Sequence, residues 1–498
     1  MTNSKLGSLA KQTAIYGLSS IIGRFLNYLL VPIHTHRMAA ESGGYGIVTN
    51  LYAYTALLLV ILTFGMETTF FRFSNKENVN PDKAFSTAGL SVGFVSLVFL
   101  LLVSLFLKPI AGALDYALHP EFVEIMAIIV AFDAFQSILF ARLRYENRPI
   151  KFMTLKLSFI VLSLLLNLFI FYLAPFLKEH YPSMMGWYQT SYQVGYIFIA
   201  NLICTTLVNF GFINEIKKLR YGIDRNLLKQ MLKYTWPILL LGLAGILNQV
   251  ADKIVFKKIV PGLEGEEQLG IYGACVKIAM IMAMITQAFR YAYEPFVFGG
   301  KRDTEDKATQ ASVMKYFIIF TLLAFLAVVM YMPLLQYLVG EGYREGLRVI
   351  PIVMMAEIFM GIYFNLSFWY KLTDQTWWGA VFSGIGCAVL LAINFIFVPK
   401  YSYMACAWGG FAGYATCMVL SYFVGQKKAP IPYDLKSAFL YFAVAIALFF
   451  VQKYIHIENT VLTLVVNTGL LMVFFAFICW REKDLVQGVV AWVKNRGK

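Results

Sequence analysis

The chain has 498 residues, of which 59% are hydrophobic and 14% charged, with a mean hydropathy of +0.66. A soluble domain carries about 25% charged residues, so these figures exclude a water-soluble protein and indicate a polytopic membrane protein. The formal net charge of +14 is scattered through short loops rather than gathered in one patch, and gives no ground for a nucleic-acid partner.

The polar start MTNSKLGSLAKQ leads into a full-length apolar run, not a short cleavable one. Apolar runs of about 20 residues mark membrane spans. They fall at 12–34, 46–71, 84–107, 122–142, 152–175, 191–213, 230–252, 270–298, 313–337, 348–370, 377–398, 402–424, 436–454 and 460–480. The fold class expected is an all-α polytopic membrane protein of about 14 transmembrane helices. The eighth and tenth runs are long and should tilt or break. With the N-terminus in the cytoplasm, 28 Lys and Arg fall on cytoplasmic segments and 10 on the other side, which predicts both termini in the cytoplasm. Four remain inside spans: Arg24, Lys156, Lys277 and Arg290.

The six cysteines lie in apolar runs without a CxxC pair and read as small buried hydrophobes. His34 and His36 have no further ligand at metal spacing, so neither a metal nor another cofactor is expected. GxxxxGK[ST] is absent, and the longest loops run to only about twenty residues. The chain is not expected to be an enzyme.

Tyr45 and Tyr272 each open a YG stretch after an acidic, Gly-containing loop. At an offset of 227, Glu67 falls on Glu294 and Phe71 on Phe298. The second span therefore matches the eighth, which predicts two parallel, pseudo-symmetric six-helix bundles and two appended helices. The expected division is an N-terminal lobe at 1–222, a C-terminal lobe at 223–428, and two additional helices with a cytoplasmic tail at 429–498. Such repeats place substrate between the lobes, lined by the first, second, seventh and eighth spans.

Buried charge gathers on those spans. In the first, Thr13, Tyr16, Ser20, Arg24, Asn27 and His34 share one helix face. The seventh carries Asn248 and Asp252 at i,i+4. In the eighth, Gln287, Arg290 and Glu294 lie within about 60° of rotation, with Tyr291 beside them, Lys277 on another face, and Pro295 placed to bend the helix. A central charge is unfavourable by about 2.5–3.5 kcal/mol on insertion scales, so each needs a role. Arg24, Arg290 and Lys277 favour an anion, and arginine's planar fork suits phosphate. Glu67, Asp252 and Glu294 suit charge pairing or coupling to H+ or Na+. Asp133 and Lys156, at comparable depths on the fourth and fifth spans, are expected to form a structural pair.

The stretches RFLNYLLVPIHTHRM, YGIVTNLYAY, GMETTFFRF, RLRYENRPIKF, QAFRYAYEPFVF, FWYKLTDQTWWGA and SYFVGQKKAPIPYDL, in that order, resemble those of the bacterial polysaccharide (O-antigen) flippases, Wzx-like, of the multidrug, oligosaccharidyl-lipid and polysaccharide exporter superfamily. The resemblance runs from about residue 12 to 440. SYMACAWGG at 402–410 departs from it, where relatives tend to start with a GYMG-type turn. The resemblance implies alternating access at the bacterial cytoplasmic (inner) membrane, moving undecaprenyl-pyrophosphate-linked oligosaccharide for surface polysaccharide, including lipopolysaccharide, biosynthesis. It implies that the pyrophosphate meets Arg24 and Arg290, that the glycan meets Tyr16, Asn27, Asn248, Gln287 and Tyr291, and that the tail stays among the membrane lipids. Other polysaccharide assembly proteins stand as candidate partners. Two alternatives share the superfamily: a lipid II (peptidoglycan precursor) flippase, and a cation-coupled drug or metabolite exporter. Such exporters favour a first-span carboxylate where this chain has Arg24.

Overall fold

The computed structural model describes residues 28–299, 304–373, 375–455 and 457–483, and among these it forms helices and turns without a strand. Twelve described helices are long and apolar enough to cross a membrane, and one bent pair supplies a thirteenth span. The run at 12–34 lies outside the described residues except for its end, which forms α1 (Leu30–Arg37).

The second span is broken into α2 (Gly44–Thr63) and α3 (Met66–Ser74). The break falls at Phe64 and Gly65, both left-handed, with φ of 35° and 72°. A Cβ on Gly65 would lie 2.8 Å from Ile238 Cγ2, so glycine serves both the turn and the close approach. Next come α4 (Pro81–Leu105), α5 (Pro120–Tyr145), α6 (Pro149–Leu168, extended by a π turn and a short helix to His180) and α7 (Gln193–Phe210). Each of α4, α5 and α6 opens on proline, which lacks the amide that a first-turn residue would leave unbonded. Asn80 adds a cap, accepting from the Asp82 amide at 2.8 Å.

The second half begins with α8 (Arg225–Ile259), capped by Asp224 on the Asn226 and Leu227 amides. The eighth span is α9 (Gly262–Ala279) and α10 (Ile281–Gly299), bent by 40°. The bend therefore sits at Met280 and not at Pro295, through which α10 continues. Of its two halves, α9 packs on α2 and α10 on α11 (Thr304–Met330), and both pack on α12 (Ile350–Leu366). The tenth span is also broken, with a 3-10 turn at Glu341–Val349 before α12 and a short helix, Phe368–Leu372, after it. The helices α13 (Trp377–Tyr401) and α14 (Tyr403–Lys428) complete this half, and α15 (Leu435–Tyr454) and α16 (Thr460–Arg481) pack on α11.

The two halves meet where α2 crosses α9. A Cβ on Gly46 would lie 1.8 Å from the Glu266 carbonyl oxygen, and one on Gly270 would lie 3.0 Å from the Gly46 amide. A Cβ on Gly273 would meet Thr49 Oγ1 at 2.3 Å. Small residues let helix backbones approach closely in membranes. Gly46 and Gly273, separated by the repeat offset of 227, thus stand on the two sides of one crossing.

Ion pairs tie one end of the first half together. Arg142 bonds Asp82 at 2.5 Å and Glu146 at 2.7 Å, Lys218 reaches Glu146 at 2.5 Å, and fully buried Glu215 takes Arg148 at 3.0 Å and Lys151 at 2.6 Å.

Candidate functional site

Between the halves lies a cavity of about 680 Å³. It is of small-molecule size, too small for a long polyprenyl chain. From the first half it is lined by residues such as His34, Tyr45, Tyr52, Asp133, Asn167 and Asn201. From the second half come Asn248, Asp252, Lys253, Lys277, Gln287, Arg290 and Glu357.

Contacts between the halves close one end. Asn50 of α2 donates to the Lys253 carbonyl at 2.9 Å and accepts from Tyr116 Oη at 2.9 Å. The Lys257 side chain, 2% exposed, bonds Glu266 at 2.7 Å, and its ammonium sits 3.4 Å from the centre of the Tyr116 ring. Lys258 donates to the Ala113 carbonyl and lies 3.4 Å from Asp115. The Gly340 amide donates to Thr35 Oγ1 at 2.9 Å, and Tyr343 Oη donates to the Met38 carbonyl at 3.1 Å. At the opposite end α8 joins the first half through a Thr69–Thr235 hydroxyl pair at 2.6 Å and through Tyr234 against Phe73.

The cavity's described cations, Lys253, Lys277 and Arg290, all belong to the second half. Arg290 lies in α10 with its guanidinium 4.5 Å from the centre of the Phe364 ring, a cation–π contact that leaves the in-plane donors directed elsewhere. Among the described residues, Lys277, one turn before the Met280 bend, makes neither a hydrogen bond nor a close ion pair, although it feels the Lys253 charge. Asp252 is buried, and takes Tyr272 Oη at 2.8 Å and Lys253 at 2.9 Å. Asn248 lines the cavity but spends its amide on the Ala244 and Ser383 carbonyls, fastening α8 to α13.

The sequence-derived candidates divide accordingly. Lys277, Arg290, Asn248, Gln287 and Asp252 come together on one wall. Tyr16, Arg24 and Asn27 lie outside the described residues, as do the side chains of Tyr291 and Glu294 on α10. Glu67 is not a lining residue; it begins α3 and is bonded by Arg144. Asp133 and Lys156 do not form a direct pair. Asp133 lines the cavity, whereas the Lys156 ammonium lies 4.1 Å above the Phe140 ring and interacts with Asp133, Glu67 and Arg144 only at longer range. The long lysine stem packs on the aromatic face instead of reaching across.

Two charges escaped sequence reasoning. Glu357 faces the cavity from α12 and makes no close ion pair or hydrogen bond among the described residues. Its signal was available as the lone charge in IPIVMMAEIFMGIYF. Lys253 falls one residue beyond the expected span 230–252, but it sits inside α8. Among the described residues, no three His, Cys, Asp or Glu side chains are grouped to hold a metal.

The sequence profile of a family described as polysaccharide biosynthesis protein matches residues 9–293, more than half of the chain. The chain belongs to the polysaccharide biosynthesis protein family. Among solved structures, the fold is similar to the lipid II flippase MurJ in an inward closed conformation, with a TM-score of 0.71, 14% identity, and 94% of this chain and 99% of that one covered. It is also similar to an inward-facing multidrug resistance MATE family transporter of the MOP superfamily, with a TM-score of 0.63, 13% identity, and coverage of 81% and 94%. The family member thus shares its fold with these two transporters. No curated protein matches it in sequence.

Proposed function

We propose that this member of the family moves a polyprenyl-pyrophosphate-linked oligosaccharide repeat unit across a bacterial cytoplasmic membrane, by alternating access of two lobes at 1–222 and 223–428 with the helices of 429–498 appended. The observation that carries the reading is that Lys277 and Arg290, on the two arms of one bent span, face a cavity between the halves. Cations in a partly desolvated cavity bind a diphosphate through charge-assisted hydrogen bonds, and Arg24 would add a third from the other lobe. The sugars would meet hydroxyl- and amide-bearing faces such as Tyr52, Asn201 and Gln287, while the tail remains in lipid. Coupling to H+ or Na+ would use a carboxylate of the cavity, Asp252 or Glu357, or Glu294 on the same span; Glu67, bonded by Arg144, serves charge pairing. Other polysaccharide assembly proteins would supply and consume the lipid-linked unit.

The test is transport in proteoliposomes of a fluorescent polyprenyl-pyrophosphate oligosaccharide loaded in one leaflet. Losing one charged contact removes about 1.5–3 kcal/mol, so Arg290→Ala and Lys277→Ala should each slow flipping by about tenfold to a hundredfold. Movement of cationic dyes alone would favour the exporter reading. Movement of lipid II at the same rate would mean that the diphosphate, and not the glycan, sets selectivity.

A further inference from the structure

An alternating-access carrier needs a link between an occupied cavity and its closed end, and the surroundings of Lys253 supply one. Lys253 lines the cavity together with Lys277 and Arg290. Its ammonium holds both Asp252 oxygens at 2.9 Å and the Gln249 carbonyl at 3.1 Å. Sequence neighbours on a helix do not face each other, so this pair exists only because the lysine stem wraps back around its own helix. All three ammonium donors are thereby occupied within about one turn, on a flexible stem whose ammonium also lies 5.4 Å from the centre of the Tyr272 ring.

Asp252 has a second partner, Tyr272 Oη at 2.8 Å, and is not left bare when Lys253 departs. The Lys253 charge also acts on Lys277 and on Glu357, which line the same cavity from the second half. Its main chain meanwhile belongs to the closed end. The Lys253 carbonyl accepts the Asn50 amide of the opposite half, Asn50 accepts Tyr116 Oη, and the Tyr116 ring bears Lys257, one turn farther along α8. One residue therefore has its side chain in the cavity and its backbone in the gate.

From this geometry we infer that Lys253 is the anion sensor of the gate. A diphosphate arriving beside Lys277 and Arg290 draws the Lys253 ammonium off Asp252 and onto its own oxygens. The turn of α8 from 249 to 253 then loses its side-chain brace, and the Lys253 carbonyl loses the fixed register in which it meets Asn50 and, through Asn50, Tyr116. The inference rests on the anion-binding reading of the cavity and adds to it the residue that reports occupancy.

The experiment uses the full chain in lipid nanodiscs with inorganic pyrophosphate as the probe. Nitroxides on Leu118→Cys and Glu264→Cys, both exposed at the closed end, report the distance across it. Calorimetry reports binding, and melting midpoints report folding. In the wild-type background, pyrophosphate should bind and shift the distance distribution to longer values. Lys253→Gln should bind about tenfold more weakly, the loss of one charged contact, and show no shift at saturation; Lys253→Arg should restore both. Asn50→Ala, outside the cavity lining, should bind pyrophosphate as wild type does but give no shift. If Lys253→Gln and Asn50→Ala shift as wild type does, or if wild type binds without any shift, Lys253 is not the sensor while the anion cavity stands. If wild type does not bind pyrophosphate, both readings fall.

Discussion

Glu146 follows directly on the end of α5, where its carboxylate holds Arg142 and Lys218 together. Burial disfavours its charge, but the Lys218 ammonium and the Arg142 guanidinium outweigh that and hold its pKa below the ordinary value of 4.5. A carboxylate with a lowered folded-state pKa stabilises the fold fully above its unfolded value, and that stabilisation is lost as pH falls through the lowered one. The melting midpoint of wild type should therefore drop between about pH 5 and pH 3 by more than that of Glu146→Gln, which should already melt lower at pH 7. Equal pH slopes would remove Glu146 from the acid sensitivity. Glu215 sets a larger effect. Its carboxylate is fully buried, so Glu215→Ala strands Lys151 and leaves Arg148 with only Glu146, at 3.7 Å. Breaking a fully buried pair removes about 3–5 kcal/mol; with both cations partly exposed, about 2 kcal/mol is expected, read as a lower melting midpoint. Residue type was legible in the sequence for Lys277, Arg290 and Asp252, but Lys277, expected on another face from Arg290, lines the same cavity. Partner choice was not legible: Glu67 with Arg144, and Lys156 above Phe140, depend on which helices adjoin, and a span's own pattern does not encode its neighbours.

The helices themselves were more legible, because a bilayer demands an unbroken apolar run and satisfies backbone groups only in a helix or a closed barrel. Breaks were harder. The sequence pointed to Pro295, yet the eighth span bends at Met280, where neither proline nor glycine stands; there the span passes from packing on α2 to packing on α11, with α12 beside both arms. The YG repeat is explained at this scale, since its glycines are where α2 and α9 touch. Gly46→Ala would drive a methyl group into the Glu266 carbonyl, a backbone atom that cannot rotate away. Over-packing of this kind removes about 1–3 kcal/mol. The variant should melt lower and show a longer distance between labels across the closed end. Gly112→Ala, which meets nothing within 4 Å, should leave both unchanged.

For the molecule as a whole, the direction of the cavity in the membrane decides what the closed end does. Translocating a short loop is disfavoured by each Lys or Arg it carries, and acidic residues offset this little. The exposed turn at Lys217–Tyr221 and the residues around Arg142–Lys151 concentrate cations at one end. The Lys257–Glu266–Tyr116 contacts lie at the other, on the same side as the loop that carries Trp187. That asymmetry predicts a closed end facing away from the cytoplasm, with the cavity able to receive a substrate made inside. Trp187→Cys and Arg220→Cys, both at exposed positions, discriminate the two orientations. Five native cysteines are buried and Cys479 is partly so, which keeps background labelling low. A membrane-impermeant maleimide added to intact cells should label Trp187→Cys, and should label Arg220→Cys only after the membrane is permeabilised. The reverse pattern would place the Lys257 contacts at the cytoplasmic face. The cavity would then be closed to the side where the lipid-linked unit is assembled, and this conformation would be one that releases substrate and not one that accepts it.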